Sequence, residues 1–365
     1  MKKIVYAVYH ELKWEARSRE VLQALQHLGK VYIVTIDDIP EDCKNSETLV
    51  TIVGDLCHIP QTRLFNFLRM TKKTIKKVTP DIVVLHDSPY YIKYVKEHYP
   101  QSTIIYDQSE LLYKWDNNSL KNRLLNYLSG FEEKYLKFVD IYIAANKERA
   151  EIAKEHFKLN NHIVVFDNMH KLEEFLSDEE GEKKYGKYFA KNQFSVIYGG
   201  GLNVDRGTLE IAKAFKELGS DYFLLVAGLS WGKEQEFDVF LKENGISNVK
   251  YLGMLDRAEW GYLLKRSMAS IVYFKQDSVN NTYCASGKLY ESLFLGLPIY
   301  CSSNPPLKNI CAEYGCGVSN DNFVEGFREL RANYSKYKAG AEKFMNTVDY
   351  SARIEKLAAD LKSLI

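Results

Sequence analysis

Short apolar segments alternate with helical patterns along most of this chain, and no other feature constrains the fold as strongly. Apolar strands that are each followed by a helix form parallel sheets covered on both faces. The segments predicted as strands in the first half are 3–9, 31–36, 81–85, 103–106 and 141–144. The helical patterns among them are 15–28, 62–78, 89–98, 118–138 and 147–158. The first half is therefore predicted to form one doubly wound α/β domain.

The alternation stops at a charged stretch and then restarts. Residues 171–191 combine many charges with glycine and lack periodicity, which predicts a linker. Beyond it, strands are predicted at 194–198, 222–227, 249–251, 269–274 and 298–301. Helices are predicted at 206–218, 233–244, 256–266 and 286–295. This pattern predicts a second doubly wound α/β domain.

The predicted domain division follows directly. An N-terminal domain spans 1–170, the linker spans 171–191, and a C-terminal domain spans 192–345. Two such domains imply a cleft between them, in which ligands bind at the carboxyl ends of strands. The amphipathic segment 346–365 is a candidate for packing back on the first domain, which the sequence alone does not show.

A glycine loop in the second domain predicts a phosphate site. Gly199, Gly200 and Gly201 follow the apolar strand 194–198 and precede a helix that starts near Arg206. Glycines let a ligand approach the backbone closely, and a helix N-terminus offers unpaired N–H groups and the positive end of the helix dipole. A diphosphate, with about two negative charges, needs both of these features together with fixed cations.

The second motif is the helix predicted at 286–295, with Ser286 as its N-cap and a glycine stop. Lys288 and Glu291 stand three residues apart in it and share one face. Arg206 and Lys288 are therefore predicted to hold one diphosphate between them. Glu291, one turn deeper, is placed to accept hydrogen bonds from ribose hydroxyls. The two motifs together predict a site for a nucleotide diphosphate-sugar.

Each motif also has a purely structural interpretation. Arg206 could be an ordinary surface residue at a helix start, and Lys288 with Glu291 could form an exposed ion pair. A glycine loop also suggests a dinucleotide-dependent oxidoreductase. That interpretation is disfavoured because the third small residue of the motif is missing and the strand that ends at Gly228 lacks the acidic residue for a ribose 2′-hydroxyl.

With these residues identified, the chain resembles a known family, the retaining glycosyltransferases of GT-B fold, and within them the family-4 group of bacterial glycan-building enzymes. In the second domain the resemblance rests on Gly199–Gly201 with Arg206-Gly207, Tyr251-Leu-Gly-Met-Leu255, Ser286-Gly-Lys-Leu-Tyr-Glu291 and Gly296-Leu-Pro298. In the first domain it rests on 80–87, 105–110 and 131–140. The GT-B fold implies two Rossmann-like doubly wound domains that face each other across a cleft.

The resemblance also implies a reaction. Such enzymes transfer a sugar from a nucleotide diphosphate-sugar, UDP- or GDP-linked, to an acceptor hydroxyl with retention, here in bacterial surface polysaccharide or glycoconjugate biosynthesis. The implied acceptor is a glycan or a lipid-linked saccharide. Neither a metal nor any cofactor besides the donor substrate is expected, because protein cations replace Mg²⁺ in this family. The chain also has no DxD motif that would suggest a metal-dependent enzyme.

Roles for single residues come from the same resemblance. The catalytic set that it implies is His86, facing the transferring sugar, with Arg206, Lys288 and Glu291. Residues 251–255 are expected near the nucleotide base. The implied donor-binding set is Gly200, Gly201, Arg206, Leu252, Gly253, Ser286, Gly287, Lys288, Leu289 and Glu291. Candidates for the acceptor side, or else for capping and structural groups, are His10, Trp14, Arg17, Asp107 and Glu110.

Two features depart from the family pattern. Tyr283 stands eight residues before Glu291, where many relatives have a glutamate that contacts the donor sugar. The loop 10–17 is bulky and charged where relatives often carry a glycine pair. These departures suggest altered sugar contacts, and an unusual acceptor or a donor phosphate that is contacted differently.

Composition excludes other classes of function. The net charge of +1 argues against a nucleic-acid partner, which normally requires a clear basic excess. The six cysteines form no CxxC pair and have no zinc-site spacing, which is typical of reduced, buried thiols in a cytosolic protein. No apolar run reaches the ~18 residues of a membrane span, and no signal-peptide pattern is present. A cytoplasmic protein is therefore expected.

The segment 62–78 bears on the acceptor. It contains six cations and no acidic residue, interleaved with apolar side chains. Such a helix could lie peripherally on the anionic inner face of a membrane, which would suit a lipid-linked acceptor. It could equally be a covering helix whose apolar stripe faces its own sheet.

Three functions remain open at this point. The leading one is a retaining glycosyltransferase. A second is a GT-B relative that epimerises or hydrolyses a nucleotide-sugar, whose own motifs are not evident. A third is a non-catalytic GT-B subunit, which Tyr283 favours and which the retained Arg206, Lys288 and Glu291 disfavour.

Overall fold

The computed structural model describes residues 1–13, 15–55, 62–111, 130–159, 161–202, 206–228 and 232–365. It divides into two compact units. Unit 1 comprises Met1–Asn168 together with Tyr350–Ile365, and unit 2 comprises Met169–Asp349. Each unit is built around one sheet whose paired strands are all parallel, so the predicted α/β class is confirmed.

The sheet of unit 1 has seven strands in the order β3-β2-β1-β4-β5-β6-β7. They are β1 (Lys2–Val8), β2 (Gly29–Thr35), β3 (Thr48–Ile52), β4 (Ile82–His86), β5 (Thr103–Gln108), β6 (Ile141–Ala144) and β7 (His162–Val165). The sequence pattern missed β3 and β7. Both are edge strands with partly exposed positions: threonines interrupt the apolar residues of β3, and β7 is only four residues long and starts at His162.

The helices of unit 1 cover both faces of this sheet. They are α1 (Ala16–Gln26), α2 (Arg63–Val78), α3 (Ile92–His98) and α4 (Lys147–His156), with residues 130–135 also helical. The rest of the helix predicted at 118–138 lies largely outside the described residues. Side chains of β1 alternate between the two faces: Ile4 and Tyr6 pack with α1, while Val5 and Ala7 pack with α2.

The C-terminal segment completes unit 1. Its helix, Arg353–Leu364, packs against α1 and places Leu357 and Leu361 in the same buried cluster as Ile4. Two polar contacts fix it there: Arg353 pairs with the buried Glu20, and the Tyr350 hydroxyl donates to Glu20 Oε1 at 2.7 Å.

Unit 2 has a six-stranded sheet in the order β10-β9-β8-β11-β12-β13. Its strands are β8 (Phe194–Tyr198), β9 (Tyr222–Val226), β10 (Val249–Tyr251), β11 (Ala269–Val272), β12 (Ile299–Cys301) and β13 (Gly317–Ser319). Its helices are α5 (Asp178–Tyr185), α6 (Thr208–Leu218), α7 (Glu234–Glu243), α8 (Arg257–Arg266), α9 (Val279–Thr282), α10 (Gly287–Leu293), α11 (Pro305–Tyr314), α12 (Phe323–Ala332) and α13 (Tyr334–Thr347). In chain order, Arg353–Leu364 is then α14.

The structure places a helix within the predicted linker, because α5 occupies the middle of 171–191. Ser177 and Glu180 form a capping box at the start of this helix. Gly181 does not break the helix; a Cβ at that position would lie 2.3 Å from the Tyr262 ring, so the glycine admits the ring. The helix buries only a narrow stripe, including Tyr185, and its charges face water, which explains the weak periodicity.

The basic segment forms α2 and uses its apolar stripe within unit 1. Phe67, Ile75 and Val78 lie in a buried cluster with the sheet. The exposed face carries Phe65 and the cations Arg69, Lys72, Lys73, Lys76 and Lys77. The packing therefore matches that of a covering helix, with a basic outer surface. Within the described part of the chain, no helix is long and apolar enough to cross a bilayer.

Candidate functional site

The strand order of unit 2 reverses beside β8. From this strand the chain builds β9 and β10 on one side and then β11, β12 and β13 on the other. Loops that leave the carboxyl ends of the two strands at such a point diverge and leave a crevice for ligands. A cavity of about 410 Å³ lies here. It is lined by Leu172, Tyr198–Gly201, Arg206, Ala227, Gly228, Met254–Arg257, Trp260, Ile271–Phe274, Ser286, Lys288 and Glu291.

The glycine loop forms one wall of the cavity. Its backbone is held by a hydrogen bond from the Gly201 N–H to the Ala227 carbonyl at 2.9 Å. The loop also packs against side chains: a Cβ at Gly199 would lie 2.7 Å from the Trp260 ring and 2.8 Å from Lys288 Cε. A Cβ at Gly200 would lie 2.1 Å from the Tyr198 ring. These glycines are therefore required by their aromatic and lysine neighbours, whatever ligand the backbone approaches.

Two cations face the cavity from different elements. Arg206 follows the glycine loop, and its guanidinium carbon lies 3.9 Å from the centroid of the Phe274 ring at the end of β11. Lys288 is in the first turn of α10 and lines the cavity. Desolvation by the surrounding protein lowers the pKa of Lys288; the Glu291 carboxylate opposes this effect and Arg206 adds to it. The pair is suited to bind a multiply charged anion.

Glu291 is the buried carboxylate of the cavity, 7% exposed. The Trp260 indole N–H donates to its Oε2 at 2.9 Å, and His170 Nδ1 lies 3.9 Å from its Oε1. Burial by itself raises the pKa of Glu291, but His170, Lys288 and Trp260 together lower it below its usual value. Glu291 is thus an ionised hydrogen-bond acceptor at the cavity wall.

The structural interpretation of Lys288 and Glu291 as an exposed ion pair does not fit this geometry. Glu291 is buried. Within the described residues, no ion pair within 4.0 Å joins its carboxylate to the Lys288 ammonium group. Arg206 likewise lines the cavity and is not a simple surface residue.

Several predicted donor-binding residues occupy other positions. Ser286 lines the cavity and stands at the N-cap of α10, but its side chain makes no capping hydrogen bond, contrary to the prediction. Among the described cavity-lining residues, the predicted Leu252, Gly253, Gly287 and Leu289 are absent. Gly253 accepts a hydrogen bond from the Gly228 N–H, and Leu289 is buried in the fold. The segment after β10 contributes Met254–Arg257 to the cavity wall instead, which is a few residues later in the chain than the sequence predicted.

Sequence reasoning missed Trp260, His170, Arg257 and Phe274. Trp260 lies on α8, which begins after a capping box formed by Asp256. At its position in this helix, the Trp260 indole lies against the cavity and reaches Glu291. His170 comes from the stretch at the start of unit 2, close to the predicted linker. Neither Trp260 nor His170 stands in a sequence motif, so no sequence signal connected either residue with Glu291.

In unit 1 the switch point lies between β1 and β4, where His86 ends its strand. His86 Nδ1 lies 2.7 Å from Asp107 Oδ2, and Asp107 Oδ1 lies 2.5 Å from Arg17 Nη1. All three side chains are buried, with Arg17 1% and Asp107 0% exposed. Arg17 and Asp107, predicted as acceptor-side candidates, therefore pair with each other and with His86 instead of presenting themselves to a ligand, and His86 itself is only 1% exposed.

The other first-domain candidates surround His86. The His10 ring packs edge-on against it, with centroids 5.3 Å apart. Asp87 adopts a φ of 44° and accepts hydrogen bonds from the Ser109 N–H at 2.9 Å and the Glu110 N–H at 3.4 Å. Trp14 lies outside the described residues. In the described chain, His10, His86 and Asp87 have ligand atoms within 4.8 Å of one another, which is the spacing of a potential cation site.

The charges around His86 act in opposite directions on its pKa. Burial by itself lowers the pKa of His86, whereas Asp107 and Asp87 raise it, and the net direction is upward. Burial raises the pKa of Asp107, but Arg17 and His86 lower it overall. Asp107 is thus an ionised carboxylate held between the Arg17 guanidinium and the His86 imidazole.

Comparisons with known proteins establish the fold. No family model and no curated protein matches the sequence. Sucrose-phosphate synthase from Thermosynechococcus elongatus superposes with a TM-score of 0.77 at 14% identity, covering 100% of this chain and 99% of that one. WaaG, a glycosyltransferase involved in lipopolysaccharide biosynthesis, gives a TM-score of 0.70 at 15% identity, covering 98% and 99%. Anabaena HepE in complex with UDP-glucose gives 0.70 at 13%, covering 100% of both chains. The predicted GT-B fold is confirmed.

The glycine contacts generate the first prediction. Gly199→Ala introduces a Cβ into the space filled by Trp260 and Lys288, and such overpacking costs about 1–3 kcal/mol. We expect a fall of several degrees in the melting temperature measured by calorimetry. Gly54→Ala is the matched control, because nothing lies within 4 Å of its Cβ position. An equal melting temperature for both variants would contradict the packing described.

The second prediction concerns pH. Because folding raises the pKa of His86, protonation of His86 stabilises the fold fully below its unfolded pKa of about 6.5. This contribution is lost as the pH rises through the folded pKa. Urea unfolding should therefore show that the stability difference between wild type and His86→Gln shrinks as the pH is raised from about 6. A difference independent of pH would show that folding does not raise the pKa of His86.

Proposed function

We propose that this protein is a glycosyltransferase that takes its sugar from a nucleotide diphosphate-sugar bound in the cavity of unit 2. The observation that carries the proposal is the convergence of Arg206, Lys288 and a buried Glu291 on one cavity at the switch point of the sheet. Two cations match a diphosphate, and an ionised carboxylate beside them matches the hydroxyls of a ribose. The GT-B fold of the chain supports the same conclusion.

Solved structures with this fold support a uridine nucleotide as the donor. HepE binds UDP-glucose in one crystal structure, and UDP with glucose in another. We therefore put UDP-sugars first among the donors, ahead of GDP-sugars. The bacterial surface role is proposed from the sequence resemblance and from the likeness to WaaG, which acts in lipopolysaccharide biosynthesis.

The proposed chemistry depends on charge neutralisation. As the bond between the sugar and the diphosphate breaks, negative charge builds on the leaving phosphate, where Arg206 and Lys288 stabilise it. The acceptor hydroxyl attacks from the same face and gives its proton to a leaving-phosphate oxygen, so the anomeric configuration is retained. Cations fixed by the protein supply the charge that a metal would supply, and no metal is required for this step.

Unit 1 is proposed to supply His86 and to bind the acceptor. The sequence resemblance supports a place for His86 beside the transferring sugar, with its imidazole oriented by Asp107 through Nδ1. His10 and Glu110 remain acceptor-side proposals. The exposed cations of α2 are proposed to contact the anionic inner face of a membrane when the acceptor is lipid-linked.

Turnover measurements on Lys288→Ala provide the third prediction. Loss of this cation removes stabilisation of the leaving diphosphate, so we expect kcat to fall by about 100-fold or more, with a smaller rise in the donor KM. The assay follows UDP release from UDP-glucose with a mixture of saccharide acceptors. Lys308→Ala, on an exposed helix surface, is the control and should match wild type. A kcat/KM within a factor of two of wild type would remove Lys288 from the mechanism.

The alternative functions give different results in this assay. UDP release without any acceptor would indicate hydrolysis. Conversion of UDP-glucose into a different UDP-sugar, without net UDP release, would indicate epimerisation. Nucleotide binding with neither UDP release nor a new UDP-sugar would indicate a non-catalytic subunit, the function favoured by Tyr283 at the position of the sugar-contacting glutamate. Release that depends on an acceptor supports the glycosyltransferase.

A further inference from the structure

We propose that Trp260 and His170 are positioning residues that orient the Glu291 carboxylate, and that they thereby set the preference of the cavity for ribonucleotides over deoxyribonucleotides. The inference rests on the proposed function, because it concerns the same nucleotide site. It adds two side chains to which neither the sequence motifs nor the comparisons assign a role.

The contacts divide the carboxylate between two neighbours. Trp260 Nε1 donates to Oε2 at 2.9 Å from α8, and His170 Nδ1 stands 3.9 Å from Oε1 in the segment that opens unit 2. A carboxylate has about four acceptor positions, so each oxygen keeps capacity for a ligand hydroxyl. With Glu291 only 7% exposed, these two neighbours determine which way the remaining acceptor positions point.

Two glycines make room for these rings. A Cβ at Gly199 would lie 2.7 Å from the Trp260 ring, and a Cβ at Gly287 would lie 2.5 Å from His170 Nδ1. Any larger residue at either position would push a ring away from the carboxylate. Gly287 does not line the cavity, so its closeness to His170 is the physical reason that the structure offers for a glycine there.

The arrangement also keeps Glu291 apart from Lys288. Residues three apart on a helix readily form an ion pair, and such a pair would occupy both groups. In the described residues, however, no ion pair within 4.0 Å joins the two. Glu291 instead faces Trp260 and His170, which leaves Lys288 available for phosphate and the carboxylate available for ribose.

The test compares nucleotides that differ by one hydroxyl. Isothermal titration calorimetry with UDP and its 2′-deoxy and 3′-deoxy analogues should show that wild type prefers UDP to at least one analogue by about tenfold, as expected for a hydrogen bond to a charged group. Trp260→Phe keeps an aromatic ring but removes the donor, and should reduce this preference to about threefold or less. Tyr262→Phe is the matched control on the same helix, since its hydroxyl faces Glu182, and it should keep the wild-type preference.

A second measurement needs no ligand. In ¹⁵N spectra, the indole N–H signal of Trp260, assigned by its loss in Trp260→Phe, should shift in Glu291→Gln.

The calorimetric comparison also applies to His170. His170→Gln, which retains a donor, should keep more of the preference for UDP over its deoxy analogues than His170→Leu.

The outcomes separate the two proposals. If wild type binds UDP and the preference survives in both Trp260→Phe and His170→Leu, the inference is wrong while the proposed function stands. An indole N–H chemical shift of Trp260 that is the same in wild type and Glu291→Gln would also overturn the inference. If wild type binds none of the three nucleotides, the proposed function and the ribose preference both fail.

Discussion

The reversal of strand order at β8 is the constraint on which the candidate site depends. Because the next strand after β10 returns to the other side of β8, the loops that follow β8 and β11 diverge and open a crevice. The crevice brings together residues that are distant in sequence, Arg206 after β8 and Lys288 with Glu291 after β11. Unit 1 has the same reversal between β1 and β4, and there it gathers His10 and His86.

Within the crevice, aromatic side chains decide what the polar groups can do. Phe274 supports the Arg206 guanidinium at 3.9 Å, and Trp260 holds Glu291 by a hydrogen bond at 2.9 Å. The glycine loop fits against these walls, since Gly199 borders Trp260 and Gly200 borders Tyr198. The loop thus serves two purposes: it leaves the backbone accessible, and it allows rings to reach the charged side chains that a diphosphate and a ribose require.

The sequence predicted the central strands, the GT-B fold and the convergence of Arg206, Lys288 and Glu291, because apolar runs and local motifs are written in contiguous residues. It failed where the signal was not local. The linker proved to contain α5, whose buried stripe is too narrow to give a period. Trp260 and His170 reach Glu291 only through the packing of separate segments, and the burial of Arg17 and Asp107 follows from their pairing with each other.

A thermal-shift panel with UDP, GDP, ADP, CMP and dTDP, run on wild type and Glu291→Ala, tests whether the cavity of unit 2 binds a nucleotide diphosphate. A ligand at 100 times its Kd adds about 2.7 kcal/mol of stability, which is readily measured. We expect that UDP stabilises wild type, that Glu291→Ala loses most of this shift, and that the surface variant Lys308→Ala retains it. Absence of a shift with every nucleotide would contradict the assignment of this cavity to a nucleotide diphosphate-sugar.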